Sequence, residues 1–143
     1  MNRVLAAVDG SDASNRSLET LVAMAKEFTA PPEVVLLTVK MPMPPLTGMG
    51  VVVSADMLDA YYAQAQEETI AAARAKLTDA KLQFIERKEI GEPSEVISQV
   101  AQETGAKLIF IGSRGMGALG NLVLGSTSNK VIHLTHIPVV ITH

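Results

Sequence analysis

Short aliphatic runs alternate along the chain with longer stretches in which apolar residues recur every three or four positions. Runs that are almost continuous in Val, Ile and Leu are typical of parallel strands, because helices cover both faces of a parallel sheet. Four runs have this composition: residues 4–8, 34–39, 108–111 and 138–141. The pattern therefore predicts buried parallel strands connected by helices.

Four stretches have helical spacing. Ser11 and Asp12 can cap a first helix, whose apolar positions are Leu18, Leu21, Val22, Ala25 and Phe28. A second helix is predicted over about residues 55–80, with Leu58, Tyr62, Ala65, Thr69, Ala72, Ala73 and Leu77 as its repeating positions. A third begins at Glu92 and Pro93 and ends at Gly105, and a fourth covers about residues 126–135.

One more strand is predicted over residues 84–90, and it is the third of the five in chain order. Unlike the others, it is polar in its centre. Four consecutive charged residues place it at a sheet edge that faces water: Glu86, Arg87, Lys88 and Glu89. Five strands and four helices in alternation define a doubly wound α/β fold of the Rossmann or flavodoxin type, with three α/β/α layers. A strand order of 3-2-1-4-5 puts the polar strand at one edge.

The same order puts the apolar run of residues 138–141 at the opposite edge. An exposed strand such as Val139, Val140 and Ile141 can pair with another chain. We expect a homodimer closed across this edge, although a covering loop or tail would protect the strand equally well.

Residues 40–54 contain three of the seven prolines and three of the seven methionines. The prolines argue against a helix, so we expect an irregular connection. It follows the second strand at the sheet edge where α/β proteins bind ligands. The segment could serve as a lid, dock a partner or be a variable surface loop.

Composition limits the classes of function. A length of 143 residues predicts one domain over residues 1–143, and 48% hydrophobic residues can form a core. The chain has no cysteine, which excludes disulfides and thiolate metal sites. A net charge of -3 and 3% aromatic residues argue against a nucleic-acid partner. No apolar run approaches the length of a membrane span, so we expect no membrane insertion and a cytoplasmic location.

Five of the ten glycines lie within residues 112–128, directly after the fourth strand and before the last helix. Glycines let the backbone approach a ligand closely, and consecutive N–H groups can form an anion site. Gly125, Ser126 and Thr127 then form a helix N-terminus, where the helix dipole favours a phosphate. The stretch indicates a phosphorylated ligand.

Two common phosphate motifs do not fit. The chain contains no Gly-Lys pair, so a P-loop is excluded. Gly115, Gly117 and Gly120 match the dinucleotide fingerprint literally, but they follow the fourth strand, and the acidic residue expected about 20 positions later is Val140.

Four features in order resemble the universal stress protein family: Gly112-x2-Gly115-x9-Gly125-Ser126, Val8-Asp9-Gly10-Ser11, Gly91-Glu92-Pro93 and Pro138-Val139-Val140. The resemblance covers the whole chain and is to single-domain members of the ATP-binding branch. It implies a dimeric stress-response protein that binds ATP, or AMP or ADP, and Mg²⁺ with it. It also implies the fold described above and a dimer through the last strand.

The resemblance assigns roles to individual residues. Ala7, Val8 and Val39 would contact adenine, and Asp9 would lie near the ribose, the phosphates and Mg²⁺. Many nucleotide-binding members have Pro in place of Ala7, whose backbone can make the same contact. The phosphates and ribose would be held along the glycine stretch by Gly112, Ser113, Arg114, Gly115, Met116, Gly117, Gly125, Ser126 and Thr127.

The residues themselves leave several roles open. Asp9 follows a central strand at the general ligand crevice, but it could equally be a helix cap or turn residue. Arg114 could bind phosphate or be a solvated loop charge. Ser126 and Thr127 could cap the last helix, and this role is compatible with binding phosphate at the same time. His133 and His136 have metal-chelating spacing but no third ligand, so we predict no metal there.

We predict a nucleotide-binding regulatory module, because the chain has a phosphate cradle and no evident catalytic pair. Catalytic residues are therefore not assigned. The alternatives are a slow ATPase or self-phosphorylating enzyme and a nucleotide-independent interaction protein. An unidentified protein partner fits each of them.

Overall fold

The strands and helices follow the predicted alternation. The computed structural model describes residues 2–43, 47–48, 51–52, 54–114 and 124–143. The elements in chain order are β1 (Arg3–Ala7), α1 (Asp12–Ala25), β2 (Glu33–Lys40), β3 (Thr47–Gly48), β4 (Val51–Val52), α2 (Ala55–Asp79), β5 (Phe84–Ile90), α3 (Pro93–Thr104), β6 (Leu108–Gly112), α4 (Ser126–Leu134) and β7 (Val139–Thr142).

The main sheet has five parallel strands in the order β5-β2-β1-β6-β7. In terms of the five predicted strands this order is 3-2-1-4-5, so the predicted α/β fold is confirmed. Strand β1 pairs with β2 on one side and with β6 on the other. The strands after β1 are added first on one side of it and then on the other. The connections from β1 and β6 therefore run to opposite faces of the sheet, which opens a crevice at the carboxyl ends of these two strands.

Two apolar clusters lie on opposite faces of this sheet. Successive residues of β1 alternate between them: Val4 and Ala6 pack with α1 and α2, whereas Leu5 packs with α3 and α4. Strand β2 alternates in the same way, with Leu36 in the first cluster and Leu37 in the second. Because both faces are covered, both sets of side chains must be apolar, and the strands read as continuous aliphatic runs.

The helix boundaries have clear local causes. Ser11 caps α1 by accepting a hydrogen bond at its Oγ from the Ser14 N–H at 3.1 Å. Glu92 caps α3 by accepting at 3.0 Å from the Glu95 N–H, with Pro93 in the first turn. Gly105 ends α3 with φ of 68°, in the left-handed region that favours glycine. The predicted signals at these three positions are confirmed.

Both sheet edges contain partly exposed strands. The four residues of β7 are half-buried, and β5 is charged in its centre. Arg74 of α2 reaches β5 and forms ion pairs with Glu86 at 2.5 Å and with Glu67 at 3.0 Å. Hydrogen bonds from Arg74 and Lys88 lower the pKa of Glu67 from 4.5 to about 2. The charged centre of β5 is thus held to α2 by an ion-pair network.

Three sequence predictions are corrected by the fold. Residues 40–54 are not wholly irregular, because β3 and β4 form a two-stranded antiparallel sheet within them. Helix α1 ends at Ala25, so Phe28 lies beyond the helix and is 39% exposed. In α2, Ala72 is exposed, whereas Ile70 and Gln66 are buried although neither was among the predicted positions.

In the part of the chain that the structure describes, no helix is both long and apolar enough to cross a membrane.

Candidate functional site

A cavity of about 480 Å³ lies at the carboxyl ends of the central strands, in the crevice opened by the reversal of strand order. Its lining comes from five separate parts of the chain. The residues are Ala7, Val8, Asp9, Ser14, Leu37, Val39, Met41, Pro93, Ile97, Ile111, Gly112, Ser113, Arg114, Gly125, Ser126, Thr127 and Ser128. A volume of several hundred Å³ is typical of a small-molecule site.

One wall of the cavity is apolar. It is formed by the ends of β1 and β2 and by the first turns of α3, with Val39, Pro93 and Ile97 among its residues. Val39 and Ile97 belong to the apolar cluster on the α3 and α4 face of the sheet. This wall is suited to the flat, weakly polar surface of an aromatic base.

The turn between β1 and α1 forms the floor beside this wall. The Asp9 Oδ1 accepts a hydrogen bond from the Ser11 N–H at 2.9 Å, and the Asp9 N–H donates to the Ser14 Oγ at 3.1 Å. Gly10 between them has φ of 83°, a conformation that favours glycine. Asp9 therefore stabilises the turn between β1 and α1, which is one of the roles left open by the sequence. It does not cap α1, because the capping residue is Ser11.

Gly112 ends β6 where the strand meets the first turn of α1. A Cβ atom at this position would lie 2.7 Å from the Ser14 N and 2.8 Å from the Ala13 carbonyl carbon. Both are backbone atoms that cannot move aside without shifting the helix. Glycine is therefore required here for the packing of strand against helix, whatever ligand the cavity holds.

Ser113 connects three elements through its backbone. Its N–H donates to the Thr142 carbonyl of β7 at 2.7 Å, and its carbonyl accepts from the Gly125 N–H at 2.5 Å and the Ser128 Oγ at 2.9 Å. The end of β6, the end of β7 and the start of α4 are thereby fixed together. The Ser113 Oγ is fully buried and has no hydrogen-bond partner within the described residues.

The N-terminus of α4 opens into the cavity. Gly125 is the capping residue, and no side chain in the described ranges accepts a hydrogen bond from the first turn. The hydroxyl of Ser128 is occupied, because it donates to the carbonyls of Ser113 and Gly125. Ser126 and Thr127 line the cavity directly. N–H groups in the first turn of a helix and the helix dipole favour an anion, so this turn is a candidate anion site.

The two charged residues that line the cavity, within the described ranges, are Asp9 and Arg114. Their formal charges cancel, so a bound anion would depend on backbone N–H groups and hydroxyls as much as on a cation. Within the same ranges, no group of three or more His, Asp or Glu side chains could hold a metal ion. A single carboxylate suits Mg²⁺ that is coordinated mainly by phosphate and water.

The structure brings most of the predicted site residues into this one cavity: Ala7, Val8, Asp9, Val39, Gly112, Ser113, Arg114, Gly125, Ser126 and Thr127. Gly115, Met116 and Gly117 lie outside the described residues. His133 and His136 do not line the cavity.

Sequence reasoning missed seven lining residues: Ser14, Leu37, Met41, Pro93, Ile97, Ile111 and Ser128. Met41 directly follows β2, and Pro93 and Ile97 lie one turn apart at the start of α3. Two signals in the sequence could have indicated these residues. Met41 follows a predicted central strand, and Pro93 begins a predicted helix. Nothing in the local sequence distinguishes Ile97 from any other core residue of α3.

The fold and the cavity define a doubly wound α/β protein with a crevice at its topological switch point. The model of the universal stress protein family matches residues 1–143, and the chain belongs to this family of stress-response proteins. It is 35% identical over 147 residues to universal stress protein YxiE of Bacillus subtilis, a match that covers 98% of this chain and 97% of YxiE.

Two solved structures show the same fold. Hypothetical protein MJ0577 has a TM-score of 0.82 and 21% identity, with 99% of this chain and 94% of that chain covered. The universal stress family protein At3g01520 of Arabidopsis thaliana, solved with AMP bound, has a TM-score of 0.68 and 18% identity, with 99% of this chain and 91% of that chain covered.

Proposed function

We propose that this protein binds an adenine nucleotide and acts as a nucleotide-dependent regulatory module in the stress response. The observation that carries the proposal is the first turn of α4, which borders the cavity and has no side-chain cap within the described ranges, while the ends of β1 and β2 and the start of α3 supply apolar lining. A helix N-terminus favours phosphate, and an apolar wall favours a base. The AMP bound to At3g01520, a protein of the same fold, supports adenine as the base.

In this proposal the base packs against the ends of β1 and β2, at Ala7, Val8 and Val39. The ribose and phosphates extend toward the start of α4 and contact Gly112, Ser113, Arg114, Gly125, Ser126 and Thr127. The glycine spacing shared with the ATP-binding branch favours ATP as the nucleotide, and it extends the phosphate site to Gly115, Met116 and Gly117.

The charges of the lining favour a divalent cation with a triphosphate. ATP brings about four negative charges, whereas Arg114 and Asp9 together contribute none. Mg²⁺ bound to the phosphates, with Asp9 beside it, would neutralise the ligand. The described lining holds one carboxylate and no lysine or histidine, so it favours binding over hydrolysis.

A charge placed at the start of α4 tests the phosphate site. Gly125 has φ of -73° and ψ of 169°, which any residue adopts, and an Asp there would cap the helix. Gly125→Asp should therefore keep the fold while its carboxylate occupies and repels the phosphate position. We expect AMP affinity to fall by about tenfold or more, the effect of losing hydrogen bonds to a charged group.

The measurement is calorimetric titration of AMP and of adenosine into protein from which any bound nucleotide has been removed. Gly125→Asn is the matched control, because it can cap the helix without adding a charge. The proposal requires AMP to bind more tightly than adenosine, and Gly125→Asp to remove that difference while Gly125→Asn largely keeps it. Equal affinity for AMP and adenosine in the unmodified protein contradicts a phosphate site at α4.

Asp9→Asn tests the cation. Asn keeps an oxygen that can accept the hydrogen bond from Ser11, so the turn survives while the charge is lost. We expect Mg²⁺ to raise the affinity of the unmodified protein for ATP and to raise it much less in Asp9→Asn. AMP affinity should respond little to Mg²⁺ in either protein, and an equal Mg²⁺ response in both would remove Asp9 from the cation site.

A further inference from the structure

The segment that follows β2 is held in one conformation beside the cavity. Lys40, the last residue of β2, accepts a hydrogen bond at its carbonyl from the Gly91 N–H at 2.9 Å. Three residues later, the Met43 N–H donates to the Tyr62 hydroxyl of α2 at 2.5 Å. Met41 lies between these two fixed points and is one of the residues that line the cavity.

The sequence of this segment removes most of its remaining freedom. The ring of Pro42 fixes its own φ, and a residue that precedes proline is restricted to extended conformations. Met41 is that residue. With both ends tied and the middle stiff, the backbone of residues 41–43 fixes the point from which the Met41 side chain extends.

Tyr62 is well suited to hold this segment. It is 7% exposed, and α2 is anchored one turn later by Gln66, whose Nε2 donates to the Glu89 carbonyl of β5 at 2.8 Å. The Tyr62 hydroxyl therefore projects from a fixed helix. Met41, by contrast, is 60% exposed, which leaves a large apolar surface beside the apolar wall of the cavity.

We propose that Tyr62 is a positioning residue for the nucleotide: its hydroxyl holds Met41 over the cavity and so slows release of the ligand. The inference rests on the proposed nucleotide site. Met41 adjoins Val39 on the same wall, so it can cover the outer face of a base that packs there. Covering the base removes apolar surface of both partners from water, and this contact must be broken before the ligand leaves.

Tyr62→Phe tests the inference, because it removes the hydroxyl and leaves the buried ring. Release of a fluorescent adenine nucleotide is measured by stopped flow after mixing with excess unlabelled nucleotide. We expect the dissociation rate to rise about fivefold, the effect of about one net hydrogen bond, while the association rate changes little. Tyr61→Phe is the matched control: Tyr61 is the neighbouring residue, is 58% exposed, and should leave both rates unchanged.

A second variant separates positioning from general loosening of the fold. Met41→Ala should also raise the dissociation rate, and adding Tyr62→Phe to it should give no further increase, because the hydroxyl acts through Met41. Full additivity of the two changes, or a dissociation rate for Tyr62→Phe equal to that of the unmodified protein, overturns the inference alone. Failure of the unmodified protein to bind any adenine nucleotide overturns the proposed function as well.

Discussion

At the scale of single residues, several positions have a structural role and line the cavity at the same time. Asp9 forms the turn after β1, Ser113 ties β6 to β7 and α4, and Gly112 allows β6 to meet α1. These three residues lie at the carboxyl ends of central strands, where the chain turns and where the cavity opens. They therefore stabilise the fold and line the cavity. A change at such a residue can therefore alter binding through the fold, and each variant needs a measure of stability beside the measure of binding.

Gly112→Ala should destabilise the protein. The added methyl would meet backbone atoms of Ala13 and Ser14 at under 3 Å, so α1 must shift away from β6. Overpacking of this kind costs about 1–3 kcal/mol. Urea unfolding followed by circular dichroism gives the free energy of unfolding.

Gly91→Ala is the matched control for this prediction. Its added methyl would lie 2.8 Å from the Val96 Cγ2, which is one side-chain atom rather than the backbone of a helix. We expect a smaller loss than for Gly112→Ala. An equal loss at both positions would mean that the contact of Gly112 with the α1 backbone is not what makes this glycine necessary.

At the scale of elements, the two edges of the sheet are protected by different means. Strand β5 carries charges that bond to α2, whereas β7 is apolar and half-buried. The charged network depends on ionised carboxylates. Hydrogen bonds from Arg74 lower the pKa of Glu86, as those from Arg74 and Lys88 lower that of Glu67, so each group contributes stability while it is ionised.

Acid should weaken this edge. The pKa of Glu67 is about 2 in the folded protein and 4.5 as its ordinary value, so its contribution is present above pH 4.5 and is lost as the pH falls toward 2. Glu86 follows the same direction. We expect the free energy of unfolding to decrease between these two pH values.

Arg74→Met should make that decrease smaller, because it removes the main hydrogen-bond donor to both carboxylates. Urea unfolding at a series of pH values measures the slope. Lys26→Met removes the same charge at the end of α1 and should leave the slope unchanged. If Arg74→Met leaves the slope unchanged, the acid sensitivity belongs to other groups. One of these is Glu92 at the α3 cap, because the Ser94 hydroxyl lowers its pKa.

The short β3 and β4 pair shows where element prediction failed. The prolines of residues 40–54 argue against a helix, and that inference still stands. They all precede Thr47, however, so they do not prevent Thr47–Gly48 from pairing with Val51–Val52. Strands of two residues have no periodicity of their own and depend on their pairing, which a one-dimensional pattern does not contain.

At the scale of the whole molecule, the exposed edge of β7 raises the question of assembly. Its residues are half-buried in a single chain, and Val139 and Ile141 pack partly against the core. We predict that two chains pair across β7, which would extend the sheet and cover this edge. Ser113 would then link the proposed nucleotide site to the interface through its bond to Thr142.

Light scattering after size-exclusion chromatography tests this prediction. We expect a mass of twice that of one chain at micromolar concentration, and slower amide exchange in β7 than a sheet edge exposed to solvent would show. A mass of one chain at all concentrations would contradict the dimer. The same measurement with and without AMP shows whether the site and the edge communicate.

The order of the four helices and of the five strands of the main sheet could be predicted from the amino-acid sequence, as could the glycine-rich stretch beside the candidate site, because these follow from local periodicity, caps and the rules of parallel sheets. Only the tertiary structure decided that Gly112 is needed for packing against α1, that Pro93 and Ile97 of α3 complete the apolar wall, and that Tyr62 holds the segment of Met41. Each of these contacts joins residues that are far apart along the chain. Such distances are set by how helices pack on the sheet, which no local pattern records.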